Sequence, residues 1–408
     1  MANVKVAVVV LGDIARSPRM LYHSYSLNKE GFKVKLIGCN ETEIKNNFLN
    51  NVEIVNIRQP PVLSLPRLLY FIFKVIWNAA LLFYTLILSG KHQILLVQNP
   101  PAIPTLFVSW IYCKIFRAKL IIDWHNYAYT ILSLSINHSN PLVKFSRVYE
   151  CYIGQLAHSN LCVTEAMKKD LKTKWNINAI TLYDKPGPNL ISNISKNDRS
   201  QFLERLSTIH EEFLMLFDER TALLVSSTSW TEDEDFSILL DALYDYEKTK
   251  SDNLPNLLCV ITGKGPLKQY YQKKILQKSW NKVKIITPWL KSVDYPRLLA
   301  SAHLGVCLHT SSSGLDLPMK VVDMFGSTLP VFAYNYPCLS ELVHHNKNGM
   351  VFENSRDLSQ QLKFWFANFP EIRKEHIIFR KNIKKFQKID WHQNWKKNAM
   401  PLFTINTF

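Results

Sequence analysis

The chain has 408 residues, 47% of them apolar, with a net charge of +16 and a pI near 9.4. That length suits two domains, and the apolar share fills two cores. The charge calls for an anionic partner, but no run of Lys/Arg interleaved with stacking aromatics marks a nucleic-acid footprint; anionic lipid or a pyrophosphate substrate remain.

The seven cysteines, at 39, 113, 151, 162, 259, 307 and 338, show no CxxC or Cys/His spacing. This predicts reduced thiols facing the cytosol and no zinc. No signal peptide is expected, because an apolar β-branched run, Val4 to Leu11, opens the chain as a central parallel strand. A turn containing Gly12, Asp13, Arg16 and Ser17 follows, and a helix is predicted from Pro18. Strand, turn and helix form half of a βαβ unit with a ligand-binding strand end, although the turn lacks GxGxxG. Arg16 and Arg19 are candidate oxyanion grips there, or ordinary surface charges.

Further strands are predicted at Phe32 to Ile37 and Val52 to Ile57. Residues 68–89 then form an apolar stretch whose one charge is Lys74, close to the length of a bilayer span. A spanning helix, an interfacial helix and a core helix compete. Because the chain must return to the same sheet at Gln93 to Gln98, the expectation is a helix packed on the sheet with a membrane-dipping face. Leu65, Pro66, Arg67 and the apolar stretch Leu106 to Phe116 are candidates for the same patch, the latter more readily as a core helix.

Lys119 to Tyr127 is a strand ending in Asp123-Trp124-His125-Asn126-Tyr127. His125 is a candidate general base because an imidazole titrates near neutral pH, and it is equally compatible with a structural role. Leu161 to Thr164 and Ile180 to Tyr183 complete the first sheet. The stiff turn Asp184 to Pro188 and the polar stretch Ser192 to Ser200 predict a first domain over 1–190 and a linker over 191–202.

The second half, 203–375, repeats the alternation. Strands are predicted at Ala222 to Val225, Leu257 to Ile261, Val283 to Ile286, Leu304 to Leu308, Leu329 to Phe332 and Met350 to Phe352, with a helix over Phe236 to Tyr246. Thr262-Gly263-Lys264-Gly265-Pro266 is a glycine turn entering a helix. After Leu308 the small polar residues around Gly314 lead to a helix beginning at Pro318, a start with free amides suited to phosphate. Lys320 and Asp323 share one face of it, able to meet a diphosphate and a ribose, or each other as a solvated ion pair. The fold class is therefore α/β, with two doubly wound Rossmann-like domains facing across a cleft. Segment 376–408, basic and Trp-bearing, is expected to pack back across them.

Four words narrow this: Gly12-Asp13-Ile14-Ala15-Arg16-Ser17-Pro18-Arg19-Met20, Asp123-Trp124-His125-Asn126-Tyr127, Ser226-Ser227-Thr228-Ser229-Trp230 ahead of Asp233-Glu234-Asp235-Phe236, and Gly314 through Gly326. In this order they resemble the chitobiosyldiphosphodolichol β-mannosyltransferases, glycosyltransferases of GT-B fold. The resemblance runs from about Val4 to Phe352. It implies transfer of the first mannose, β-1,4 and with inversion, from GDP-mannose to GlcNAc2-diphosphodolichol in lipid-linked oligosaccharide assembly for N-glycosylation. The site would be the cytosolic face of the endoplasmic reticulum membrane, with other dolichol-pathway mannosyltransferases as partners. On this resemblance Lys320, Asp323, Gly263, Gly265, Gly314 and the Ser227, Thr228, Ser229 turn would hold the donor. His125, or failing it Asp13, would be the base, and Arg16 and Arg19 would hold the lipid diphosphate. No cofactor is implied, and a divalent ion is left open.

The chain departs from the family in having Ala15 for Gly and only three residues ahead of Val4, which would leave anchoring to 68–89. Retaining relatives carry two Glu eight apart, whereas Asp316 and Asp323 are seven apart, so Asp323 alone carries over. A different nucleotide sugar, or an inactive membrane-bound scaffold, are the competing readings.

Overall fold

The computed structural model describes residues 4–41, 47–188 and 190–404; within helix α2 the side chains of Arg67 and Leu68, and with them that part of the expected patch, lie outside the described residues. The chain forms two compact units, one of Met1–Asp184 with Trp391–Phe408, the other of Lys185–Asp390.

The first unit alternates β1 (Lys5–Asp13), α1 (Pro18–Lys29), β2 (Lys33–Cys39), β3 (Glu53–Asn56), α2 (Arg67–Leu88), β4 (Ile94–Asn99), α3 (Thr105–Phe116), β5 (Lys119–Trp124), α4 (Ala128–Ser135), α5 (Pro141–Leu156), β6 (Ser159–Cys162), α6 (Glu165–Trp175) and β7 (Ala179–Thr181). The strands pair in parallel in the order β3-β2-β1-β4-β5-β6-β7, so the winding reverses between β1 and β4. β1 is central because Val6 to Val10 are apolar on both faces, and all five are buried.

The second unit runs α7 (Lys196–Ser207), β8 (Thr221–Ser227), α8 (Phe236–Glu247), β9 (Asn256–Thr262), α9 (Lys268–Leu276), β10 (Val283–Ile286), α10 (Tyr295–Ser301), β11 (Leu304–Cys307), α11 (Met319–Gly326), β12 (Val331–Tyr334), β13 (Gly349–Phe352), α12 (Ser355–Phe366) and α13 (Lys374–Phe386). Its order is β10-β9-β8-β11-β12-β13, with the reversal between β8 and β11. The chain then returns to the first unit as α14 (Trp391–Asn398).

Two boundaries differ from expectation. Part of the expected linker is helical, because the Ser195 hydroxyl accepts from the Asp198 amide at 3.0 Å and caps α7. The expected C-terminal segment is two helices, one in each unit, separated between Phe386 and Trp391.

Helix α2 is long and apolar enough to cross a membrane, yet only 17% of its apolar window is buried. Leu82, Thr85 and Leu86 are buried, while Leu69, Phe71, Ile72, Ile76 and Trp77 are exposed. A core helix would have buried those five, so the core reading of 68–89 fails. Helix α3 buries Leu106, Val108, Tyr112 and Cys113 and exposes Phe107 and Ile115, a core helix with one bare edge.

Candidate functional site

In open parallel sheets ligands bind beyond the carboxyl ends of the strands, where the winding reverses. Both units bring the polar residues of the sequence to that edge.

In the second unit the site forms where the loops after β8, β9 and β11 meet the start of α11. The Thr228 hydroxyl donates to Glu234 at 2.6 Å and the Ser229 amide at 3.1 Å. The same buried carboxylate takes Lys320 from the first turn of α11, so Lys320 is tied to the Thr228–Ser229 turn through Glu234. No side chain caps α11, and Asp323 lies one turn on, half-buried. Gly314 adopts a left-handed φ of 73°. The Leu315 and Asp316 amides are held by the Ser311 hydroxyl, at 3.1 and 3.4 Å, which bends the loop back on itself.

Beside this pair His309 sits between two carboxylates, Nδ1 3.2 Å from Asp233 and Nε2 3.3 Å from Asp316. Burial pulls its pKa down, but the hydrogen bonds to Asp233 and Asp316 outweigh it and raise it to about 9. Burial pushes the Asp233 carboxyl up, but His309 brings it down to about 2. His309 is therefore a cation at neutral pH. Its raised pKa makes it stabilising in full below pH 6.5, an effect lost as pH rises through about 9. The unfolding temperature should fall across that window, and His309→Gln should flatten the slope; an unchanged slope in the variant would show that His309 does not carry it.

Gly263 and Gly265 lie directly against the backbone of the preceding loop. A Cβ on Gly263 would lie 1.8 Å from the Thr228 carbonyl oxygen, and one on Gly265 1.7 Å from that of Ser229. They let the loop after β9 press against the Thr228–Ser229 turn, and Gly263 has a φ of 155° besides. Gly263→Ala should cost about 3 kcal/mol in denaturant unfolding, since a backbone oxygen cannot give way. Ser227 is farther out and accepts from the Tyr295 hydroxyl at 3.1 Å.

In the first unit the site centres on Asp123, at the end of β5 and fully buried. Arg19 grips it with two hydrogen bonds, Nε to Oδ2 at 2.8 Å and Nη2 to Oδ1 at 2.9 Å. His23 Nε2 lies 3.1 Å and His125 Nε2 2.7 Å from Oδ2. Burial would push the Asp123 carboxyl up, but Arg19 first and then the two histidines hold it well below the usual range. Burial lowers the His23 pKa despite Asp123, so His23 is neutral. The Trp395 indole of α14 donates to its Nδ1 at 2.9 Å, leaving Nε2–H to face Asp123.

Arg19 is a correction. Expected to hold a lipid diphosphate, it is 1% exposed and spent inside the protein on Asp123, Asp184 at 2.8 Å and the Leu182 carbonyl at 2.8 Å. Arg16 is the opposite case: its side chain is 79% exposed, with Asp13 3.7 Å away. Asp13 itself caps the turn after β1, accepting from the Ala15 amide at 3.2 Å. Asp13 and His125 end strands two places apart, roughly 10 Å at the backbone.

His125 is partly exposed, 21% at the side chain, on the wall of this edge. An ionised carboxylate only accepts, so Nε2 carries the proton and Nδ1 is the basic nitrogen. The loop holding His125 is braced by Glu150 of α5, which accepts from Asn99 Nδ2 and the Ala128 amide at 2.8 Å and from the Tyr129 amide at 2.9 Å. Among the described residues no three His, Cys, Asp or Glu gather as a metal site. All seven cysteines are free.

Glu234, Asp233 and His309, and Asp123 with His23, join these clusters without a role assigned from the sequence, although Asp123, Asp233 and Glu234 stand within the quoted words. His309 follows a predicted strand directly, a position that marks ligand contacts in such sheets. Nothing in the spacing says which acid of the run Glu232 to Asp235 turns inward.

Two doubly wound parallel sheets, each with a polar cluster beyond its strand ends, make up a GT-B fold. A family model for glycosyl transferases group 1 matches residues 210–386. Solved structures of the same fold include Anabaena HepE with UDP and glucose (TM-score 0.69, 17% identity, 98% of this chain and 99% of that one) and WaaG of lipopolysaccharide biosynthesis (TM-score 0.68, 13% identity, 98% and 99%). The human protein named chitobiosyldiphosphodolichol beta-mannosyltransferase is 44% identical over 97% of this chain and 92% of its own length. The Dictyostelium discoideum protein of that name is 40% identical over 98% and 93%. An Arabidopsis relative, 38% identical over 98% and 97%, is named UDP-glycosyltransferase TURAN. This chain belongs to the chitobiosyldiphosphodolichol β-mannosyltransferase family.

Proposed function

We propose that the chain transfers mannose from GDP-mannose to the terminal sugar of GlcNAc2-diphosphodolichol, forming a β-1,4 bond with inversion. The observation that carries this is the His125–Asp123 pair, an imidazole fixed by an ionised, buried carboxylate with its second nitrogen open to accept a proton. Inversion at one centre needs a single displacement, and a base to take the acceptor hydroxyl's proton as the bond forms. His125 Nδ1 fills that role, and Asp123 stabilises the imidazolium that results. Arg16, exposed at the same edge, is suited to the acceptor diphosphate. In the second unit Lys320 and the uncapped start of α11 provide positive charge for the departing GDP, and Asp323 one turn on is suited to its ribose. The bare face of α2 supports membrane association, proposed for the cytosolic face of the endoplasmic reticulum among other mannosyltransferases of that pathway.

The test is transfer from radiolabelled GDP-mannose to a short-chain GlcNAc2-diphospholipid in detergent, with and without a chelator. UDP-sugars form a second arm, because one relative carries a UDP-glycosyltransferase name. Product from GDP-mannose alone is expected. Transfer from a UDP-sugar instead would overturn the donor assignment, and no product from folded protein would bring forward an inactive scaffold.

A further inference from the structure

From Ile54 through Thr164 the chain holds nine lysines and arginines and only two carboxylates, Asp123 and Glu150. Both carboxylates are fully buried. A span of more than a hundred residues, containing α2 to α5, thus presents cations and no anion to its surroundings.

The same span is where the first unit leaves apolar side chains bare. On α5 Phe145, Val148 and Tyr152 are 58%, 67% and 61% exposed and follow one another at spacings of three and four. They form a stripe opposite the buried Val143, Ser146, Glu150 and Ile153. Lys144 and Arg147, both exposed, flank the stripe. On α4 Ile131 and Leu134 are exposed one turn apart. These helices adjoin one another in the order α2, α3, α5, α4. The Phe107 amide of α3 donates to the Tyr149 hydroxyl of α5 at 2.9 Å, and Glu150 of α5 accepts from the first amides of α4.

A water-facing helix puts charges of both signs between its apolar residues, whereas a helix at an anionic bilayer keeps only the cations. The α3–α5 face has the second pattern and continues the apolar surface of α2. It also connects to the chemistry, since α4 begins three residues after His125.

We propose that α4 and α5, with the edge of α3, form a second membrane-contact surface that lies on an anionic lipid bilayer beside α2. Phe145, Val148 and Tyr152 enter the acyl boundary, and Lys144 and Arg147 meet lipid phosphates. This deepens the functional reading above and rests on it: because α4 begins three residues after His125, a bilayer under α4 and α5 would bring the His125 loop next to the membrane that carries the lipid diphosphate.

The test is co-flotation of the full-length chain with phosphatidylcholine vesicles, with or without about 30% phosphatidylserine. It is run in wild type and in an Ile72→Ser/Ile76→Ser background that weakens α2. In that background Lys144→Glu/Arg147→Glu should reduce binding to the anionic vesicles by at least about tenfold. Phe145→Ser/Tyr152→Ser should reduce binding to both vesicle types about tenfold. All these positions are exposed, so unfolding temperatures should stay at the wild-type value; Val148→Ser serves if the double variant unfolds. Undiminished vesicle binding in both variants would overturn the proposal. So would unchanged binding with a reduced mass in solution, which would make the face a protein–protein interface. Transfer to the short-chain acceptor in detergent reads the functional assignment separately, because vesicle binding requires no acceptor.

Discussion

Asp123→Asn is expected to lower kcat by about 10³-fold at neutral pH, within the range that general-base catalysis supplies. It should also lower stability by about 3 kcal/mol, the cost of removing one partner of a buried ion pair. Four donors point at the carboxylate: Nε and Nη2 of Arg19, and Nε2 of His23 and of His125. An amide keeps one oxygen and turns an NH2 group on the remaining donors, so at least one donor meets a donor. The least confined partner is the partly exposed His125, which would rotate or change tautomer and no longer offer Nδ1. Arg19 keeps Asp184, so the site would loosen rather than unfold. His125→Ala is the contrast: a comparable loss of kcat with little change in the unfolding temperature. If Asp123→Asn lost stability while retaining turnover, the pair would be structural, and Asp13 would become the base to test.

Lys320→Ala is expected to lower kcat/KM for the donor by about 10²-fold, as removal of a group that meets developing charge does. Without a ligand, Lys320 is neutralised by Glu234, whose carboxylate is 1% exposed and already takes Thr228 and Ser229. A diphosphate must draw the ammonium away from that partner, so the cation is both held in position and available. Isothermal titration should show GDP binding weakened about tenfold or more while guanosine binding is unchanged. Equal losses for both ligands would mean that the substitution had deformed the pocket, because a phosphate contact cannot affect a ligand without phosphate. Lys320→Ala alone leaves a buried carboxylate uncompensated. Adding Glu234→Gln should restore stability without restoring GDP binding, which separates the role of the ion pair in folding from its role with the donor.

The alternation of β-branched runs and helical stretches was legible because the central strands of a doubly wound sheet are buried on both faces. Ala7 to Val10 and Leu257 to Ile261 need no partner to be recognised. Asp123–His125 at the end of β5, and Gly314–Asp323 in the loop after β11 and the first turns of α11, were legible because polar residues there follow an apolar strand run. The fate of Arg19 was not legible. Its partners are 104 and 165 residues away, and no local pattern tells a guanidinium paired inside from one waiting at the surface. The glycines of the Gly263–Gly265 turn were visible as glycines, but the carbonyls that crowd them come from the preceding βα loop. Ser195 and Asp198 form a helix-start signal that could have ended the linker reading at 195.

The bond from Trp395 to His23 joins residues 372 apart in sequence. Through His23 it reaches Asp123, and through Asp123 the imidazole of His125. Translation supplies that indole only after every described strand of both sheets has been made. A chain halted at Asp390 would contain every described strand and every residue proposed to meet the donor, yet its His23 would lack the indole that fixes its tautomer. The order around Asp123 and His125 thus waits on residues made after the second sheet, and a stop codon between Asp390 and Trp395 is expected to disturb it without deleting a residue of either polar cluster.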